Sequence, residues 1–366
     1  MSGNAEMKRI VSDGYMINKV RANFSSIAFI TLRRAIFSYF SSYMSAQNQL
    51  HFSINNTFVD QEEIDWNYGN DYVESYTETI LHFQHFIELI CKEILLKKHE
   101  LLAMDAEKKP IVLYKLLMGE EISDDDIQGI KTTEFSVVIK RLYDLIDVGV
   151  IDSKFAFFKD HKDTIRELNS LRNRITHRGT FILRYEALDV FVGRYILPLI
   201  LEIVNLNQHL QPVWRYNELA CGIDPLKEII DELKKVEGYN LRKVAFLKEL
   251  GRAAYKNPII HQKEGKWFEF FEKPRIRKAE ANAESYLTEP FEQAVNVSEC
   301  PVCGCKTLVT YEESDGDQND DGSYNEYWTF SSSVECFFCS FEAKPHIGNP
   351  KDYGFSWSDL FYEIKH

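Results

Sequence analysis

Residues 71–102 read DYVESYTETILHFQHFIELICKEILLKKHELL, and this stretch decides the fold class. Ile80, Leu81, Phe83, Phe86, Ile87, Ile90, Ile94 and Leu95 follow the period of about 3.6 residues that marks one buried helix face. A helix with so long an apolar face needs partners, and the sequence supplies them downstream. Further helices are predicted at about 111–118, 133–149, 158–178 and 185–205, joined by short acidic or glycine-containing connections. Residues 71–207 therefore read as an all-α bundle.

Upstream, residues 1–70 read as a helical extension and loop. Phe24, Ile27, Ile30, Leu32, Ile36, Phe37 and Phe40 mark the inner face of a helix within Val20–Met44, and a polar loop follows with a candidate short strand at Phe52–Val59. Residues 208–295 read as a helical connector, with Pro225 opening 225–236, Asn240 capping 241–256 and Pro258 ending the run. Between Lys263 and Lys278, Trp267, Phe268, Phe270 and Phe271 interleave with Lys263, Lys266, Lys273, Arg275, Arg277 and Lys278. That pattern can suit base stacking with phosphate contacts, but more often marks core rings beneath a solvated charged face. From 296 to 366 the pattern changes to short β pieces, Thr307–Tyr311, Tyr327–Ser331 and Ser340–Ala343. The expected class is mainly α, with a small β module at the C-terminus.

Composition bounds the function. With 366 residues, 45% hydrophobic, 27% charged, 17 Gly and 10 Pro, the chain is neither disordered nor collagenous, and 13% aromatic residues promise a ring-rich core. Its most apolar segment, Phe181 to Val204, is interrupted by Arg184, Glu186, Asp189, Arg194 and Glu202, so no membrane span is expected. The N-terminal residues lack the apolar core of a secretion signal, which points to the cytoplasm. A net charge of −13 argues against an unselective nucleic-acid surface, so any polyanion must meet a local basic patch.

Of seven cysteines, five lie between 300 and 339, which in a reducing compartment suggests metal rather than disulfides. Cys300-Pro-Val-Cys303-Gly and Cys336-Phe-Phe-Cys339 are two C-x-x-C knuckles, each spaced for two thiolates to grip one tetrahedral ion. The segment resembles a zinc ribbon, and four thiolates close the coordination shell, so the zinc is expected to be structural. Cys305 is the spare thiol, or alternatively a ligand in place of Cys303. Cys91 and Cys221 have no partner pattern and read as buried small hydrophobes. The 32 residues between the knuckles contain a polar hairpin insertion. There Asp315, Asp317, Asn319, Asp321 and Glu326 fall at the oxygen positions of a calcium loop, but Asp320 stands where the sharp turn needs glycine. A solvated acidic loop is the better reading.

The remaining constellation lies in the helix beginning near Lys159. Ile165, Leu168, Leu171 and Ile175 define its apolar face, while Arg172, Asn173 and His177 fall within about 140° on the other side, able to converge on one ligand. Gly179 is a natural C-cap, which places His177 in the last turn. Between Lys154 and Glu186, eight Lys or Arg face four Asp or Glu, an island of net +4 that could attract a polyanion. Taken alone, these residues equally allow a solvated helix whose His177 caps its last carbonyls.

Leu171-Arg172-Asn173-Arg174-Ile175-Thr176-His177-Arg178-Gly179 resembles the R-x4-H signature of the HEPN superfamily (higher eukaryotes and prokaryotes nucleotide-binding). The resemblance covers about 71–207 and includes the long helix that precedes the motif; a C-terminal cysteine ribbon also looks like an architecture of bacterial members. It implies a metal-independent endoribonuclease of the toxin or antiviral-defence kind, homodimeric, with two motifs facing each other. By that resemblance His177 is base or acid, Arg172 the phosphate clamp and Asn173 an orienting group, while Arg174, Arg178, Lys162 and Arg166 contact RNA. It also implies an antitoxin or other regulatory protein as partner, and no membrane. Gly179 stands where some members carry a modifiable Tyr, so that mode of control does not carry over. The family includes noncatalytic members that bind nucleotides or scaffold complexes, which is the alternative reading.

Overall fold

The computed structural model describes residues 27–47, 61–105, 109–121, 133–206, 214–235, 238–257, 268–289, 293–318 and 324–365, with 7, 10, 13 and 266 besides. The fold is mainly helical and ends in a small antiparallel sheet. Helices α1 (Ile27–Ser45) and α2 (Asn70–Leu96) form the central pair. The α2 periodicity holds: Ile80, Phe83, Phe86, Ile87, Ile90, Ile94 and Leu95 are buried. On α1 the inner face is rotated from the expected one, because Phe29, Tyr39 and Tyr43 complete the stripe with Leu32, Ile36 and Phe40. Ile27 and Ile30 consequently point outward. Phe29 meets Phe86 edge to face at 5.7 Å. The strand expected at 52–59 lies outside the described residues.

Helix α3 (Pro110–Met118) packs in a small cluster of its own with Leu101 and Met104, and around the central pair stand α4 (Phe135–Asp147), α5 (Lys162–Arg178), α6 (Tyr185–Val190) and α7 (Leu197–Asn205). The helix expected over 158–178 breaks at His161 into a short turn, Phe157–Asp160, and α5. A π-helical turn, Phe191–Ile196, joins α6 to α7. Pro198 has no N–H to offer the carbonyl one turn back, and the wider turn absorbs the break. Gly193 in this turn admits a neighbour closely, since a Cβ there would stand 2.1 Å from Leu233 Cδ1.

The connector supplies α8 (Pro225–Leu233), α9 (Leu241–Ala254) and α10 (Lys273–Tyr286). Asn240 caps α9 as expected, its side chain accepting the Lys243 N–H at 3.0 Å. Every residue of α9 from Val244 to Ala254 is buried, including three ionisable ones, Lys248, Glu249 and Arg252. Lys248 Nζ donates to Asp189 Oδ1 and to Ser42 Oγ, each at 2.7 Å, which ties α9 to α6 and α1. Ahead of α10, Phe268–Glu272 forms a second π-helical turn with Phe270 and Phe271 exposed rather than in the core. Lys273 and Arg275 pair there with Glu269 and Glu272. Lys263 and Trp267 lie outside the described residues.

The sheet comprises β1 (Ala294–Glu299), β2 (Lys306–Gln318), β3 (Tyr324–Cys336), β4 (Glu342–Ala343) and β5 (Glu363–Lys365), all antiparallel, with β4 and β5 both paired to β3. β1 begins ahead of the expected onset at Val297, and β5 is an addition to the expected pieces. Pairing of β2 with β3 continues to Gln318 opposite Tyr324, so Asp315, Asp317 and Glu326 are strand residues. Asn319, Asp320 and Asp321, at the turn of the candidate calcium loop, lie outside the described residues. One apolar cluster runs from Ala28 through the helices to the cysteine knuckles and Phe361. Among the described residues no helix is long and apolar enough to cross a membrane.

Candidate functional site

Helix α5 carries the R-x4-H residues. It forms because Ile165, Leu168 and Leu171 bury one face against the bundle, with Ile175 partly covered. It stops because Gly179 adopts a left-handed conformation (φ 63°) and turns its N–H back to the Arg174 and Ile175 carbonyls. His177 thus sits exposed in the last turn beside Arg178, at the negative end of the helix dipole. Arg172 and Asn173 are half-buried one turn earlier, and Arg172 Nη1 donates to Asn173 Oδ1 at 3.0 Å. Thr176 Oγ1 donates to the Arg172 carbonyl at 3.0 Å. The strand of chain that follows is fixed by Tyr72 Oη donating to Leu183 O at 2.7 Å and by a two-bond pair between Arg184 and Asp65.

The basic island divides into paired and unpaired cations. Lys154 lies near Asp152, Lys159 bonds Asp147, Arg166 bonds Asp163 and Glu167, and Arg184 bonds Asp65. Lys162, Arg172, Arg174 and Arg178 have no carboxylate within ion-pair distance among the described residues. Three of these four stand in the last two turns of α5, around His177. Arg174 lies over the ring of Phe181 at 4.8 Å, a cation–ring contact that the sequence pattern did not single out.

Helical geometry sorts the sequence-predicted residues into faces. At about 100° per residue, Lys162, Arg166, Asn173 and His177 fall within about 60° of one another, while Arg174 and Arg178 turn away from them. Arg172 stands about 140° around the axis and about 7.5 Å along it from His177, so one α5 spreads the two rather than clasping them. His177 has no hydrogen-bond partner among the described residues that would fix its ring.

The second candidate site is the cysteine centre. Sγ atoms of Cys300, Cys303, Cys336 and Cys339 all lie within 4.8 Å of one another, buried, and together could hold one metal ion. The edges Cys300–Cys339 and Cys303–Cys336 measure 3.5 and 3.7 Å. Two matching turns build the cluster. The N–H groups of Gly304 and Ser340 reach back to the Cys300 and Cys336 carbonyls, and those of Cys300 and Cys336 reach forward to the Cys305 and Phe341 carbonyls. Each turn needs a left-handed residue after its second cysteine, met by Gly304 in one and, at φ 61°, by Ser340 in the other. Cys305 is not part of the four-sulfur cluster: its backbone closes the first turn, and its Sγ points to the Cys303 carbonyl at 3.8 Å. Cys91 is buried, and burial pushes its thiol well up; Cys221 is half-buried, its thiol pushed up to about 11 by the same cause.

The helical core grips this module at two places. The Ala220 and Cys221 N–H groups donate to the Val302 and Pro301 carbonyls at 3.0 and 2.9 Å. On α9, Glu249 pairs with Arg252 at 2.6 Å, accepts the Glu342 N–H at 2.7 Å, and Arg252 donates to the Ser340 carbonyl. No family model matches the chain, and neither a curated protein nor a solved structure matches it.

Proposed function

We propose that the chain is a metal-independent endoribonuclease of HEPN type that acts as a homodimer, with zinc as a structural ion in a C-terminal ribbon. The observation that carries the reading is the end of α5, where Arg172, Arg174 and Arg178 share the last two turns with an exposed His177 and have no carboxylate partner among the described residues. An unneutralised guanidinium cluster is suited to phosphate, and Arg172 keeps most of its donors available after its bond to Asn173.

The chemistry follows from these groups. Attack of a ribose 2′-OH on the adjacent phosphate forms the new P–O bond and expels the 5′-oxygen, leaving a 2′,3′-cyclic phosphate and a 5′-OH. Imidazole of His177 takes the 2′-OH proton or returns one to the leaving oxygen, and Arg172 stabilises the charge that builds on the phosphoryl oxygens. Asn173 holds the Arg172 fork in place. Because one α5 spreads Arg172 and His177 around its axis, a second copy facing the first is the simplest way to set both on one phosphate. The role suggested is a toxin or antiviral-defence effector, held in check by an antitoxin or regulatory protein.

Zinc suits the cysteine centre on geometry and donor chemistry. A tetrahedron with Zn–S bonds of about 2.3 Å has edges of about 3.8 Å, close to the observed 3.5 and 3.7 Å. Four thiolates leave no open position, so this ion would hold the knuckles together and take no part in cleavage.

A second reading, a noncatalytic RNA- or nucleotide-binding module, is favoured by one feature: among the described residues His177 lacks the orienting partner that a general base ordinarily has. Cleavage of a mixed RNA pool by the wild type, Arg172→Lys and His177→Ala separates the two. The nuclease reading expects His177→Ala to lose about 10²–10⁴-fold in rate while still binding RNA. Equal binding by all three with no cleavage would leave the binding module standing alone.

A further inference from the structure

A cleft of about 490 Å³ opens between α4 and the first turns of α5, ahead of the R-x4-H residues. Phe135, Ile139, Tyr143 and Ile165 form its floor. Lys140, Lys162 and Asn169 stand at its rim, and neither lysine has a carboxylate partner among the described residues. Tyr143 is held in place by its hydroxyl, which donates to the Phe158 carbonyl at 3.1 Å, so the ring is a fixed wall.

The cleft and the proposed site share one stripe of α5. Lys162, Arg166, Asn169, Asn173 and His177 recur at spacings of 4, 3, 4 and 4, which puts all five within about 80° on one stripe of α5. From Asn169 to His177 is two helical turns, about 12 Å. A strand whose phosphate lies at His177 and which follows this stripe toward Lys162 therefore reaches the cleft. There it meets the rings of Phe135 and Tyr143 and two cations, the pairing of aromatic surface and phosphate contact that single strands use. The acidic residues at the cleft, Asp144 and Asp147, lie on α4, and Asp147 is already neutralised by Lys159.

We infer that the α4–α5 cleft seats an unpaired base of single-stranded RNA, with Lys140 and Lys162 holding the flanking phosphates, and so directs the strand toward His177. This rests on the ribonuclease reading of the end of α5. It makes the substrate a single strand long enough to reach from one end of α5 to the other, and excludes continuous duplex, whose bases are stacked within the helix.

The test uses the full chain carrying His177→Ala, so that probes survive, and measures fluorescence anisotropy of labelled oligouridylates of four and ten nucleotides over a series of salt concentrations. Ser136→Trp plugs the cleft from an exposed position, and Lys140→Ser with Lys162→Ser removes the two cations; circular dichroism checks that each variant is folded. Ser136→Trp should weaken the ten-nucleotide probe at least fivefold, the lower end of what a stacked base contributes. The lysine pair should lower the log–log salt slope by about 1.4, two phosphates on a single strand. Unchanged affinity and slope in both variants, while the otherwise wild-type chain still cleaves RNA, would remove the cleft and leave the ribonuclease reading intact. Failure of the His177→Ala chain to bind either probe at low salt would overturn the cleft inference, and wild-type cleavage would then be judged separately. A change of oligomeric state in Ser136→Trp with RNA affinity unaltered would assign the cleft to protein contact and overturn the inference as well.

Discussion

Replacing Lys248 by Met should destabilise the protein by about 3–5 kcal/mol, the cost of leaving one member of a buried ion pair alone. The geometry makes this an unusually clean case. Lys248 and Asp189 are both fully buried and meet at 2.7 Å, and the ammonium also donates to Ser42 and lies over the rings of Tyr39 and Tyr185 at 4.5 and 4.1 Å. Met retains nearly the same volume, so a cavity would contribute little. What is lost is the partner of Asp189, whose Oδ2 has no close hydrogen bond among the described residues and whose carboxyl burial holds above the usual range despite Lys248 and the nearby Tyr39 and Tyr185 hydroxyls. Adding Asp189→Asn to Lys248→Met removes the stranded acid and should recover more than half of the loss, a coupling that a double-mutant cycle reads directly. Urea denaturation followed by far-ultraviolet circular dichroism gives the free energies, with the slope checked for constancy. A cost below about 1 kcal/mol for Lys248→Met alone, the range of exposed pairs, would refute the reasoning.

Other outcomes follow from single sites. Gly251→Ala should destabilise by about 1–3 kcal/mol in thermal or urea unfolding although Ala is the better helix former, because its Cβ would stand 2.4 Å from the Phe40 ring. Cys336→Ser should abolish stoichiometric metal binding, read by elemental analysis of the purified protein, and free the knuckles to proteolysis, whereas Cys305→Ser should leave metal content unchanged. Burial pushes the Glu232 carboxyl up, but Lys235, the Asn240 N–H and Lys243 outweigh it and hold it below its usual range. Its stabilising contribution is therefore present in full above about pH 4.5 and fades as pH falls through the lower folded value, so Glu232→Gln should flatten the acid limb of a stability-versus-pH curve.

Local signals were the legible ones. Apolar periodicity placed α2, the proline at the start of α8 and Asn240 before α9 marked their helix ends, and Gly179 marked the end of α5, because each depends on neighbours within a turn or two. The knuckle spacing marked the four sulfurs that converge, yet left Cys303 and Cys305 open. That choice was made by backbone hydrogen bonds across the turn. Charge was the least legible property. Asp189 reads in sequence as a residue interrupting an apolar segment, whereas in the fold it is buried against Lys248, 59 residues away. The basic island shows the same limit: counting gives net +4, but only the fold separates Arg166 and Arg184, which are occupied by carboxylates, from Arg172, Arg174 and Arg178, which have none among the described residues. Likewise the α4–α5 cleft joins two helices whose floor residues are each ordinary core positions in sequence.

Mapping the ends of RNA products made in EDTA tests the central claim most directly, with exposure to the chelator kept short enough to leave the four-cysteine centre loaded. The account expects wild type to yield fragments with 2′,3′-cyclic phosphate and 5′-OH ends, and expects Arg172→Ala and His177→Ala to yield none. Cleavage that requires added divalent metal, or that persists undiminished in His177→Ala, would contradict it.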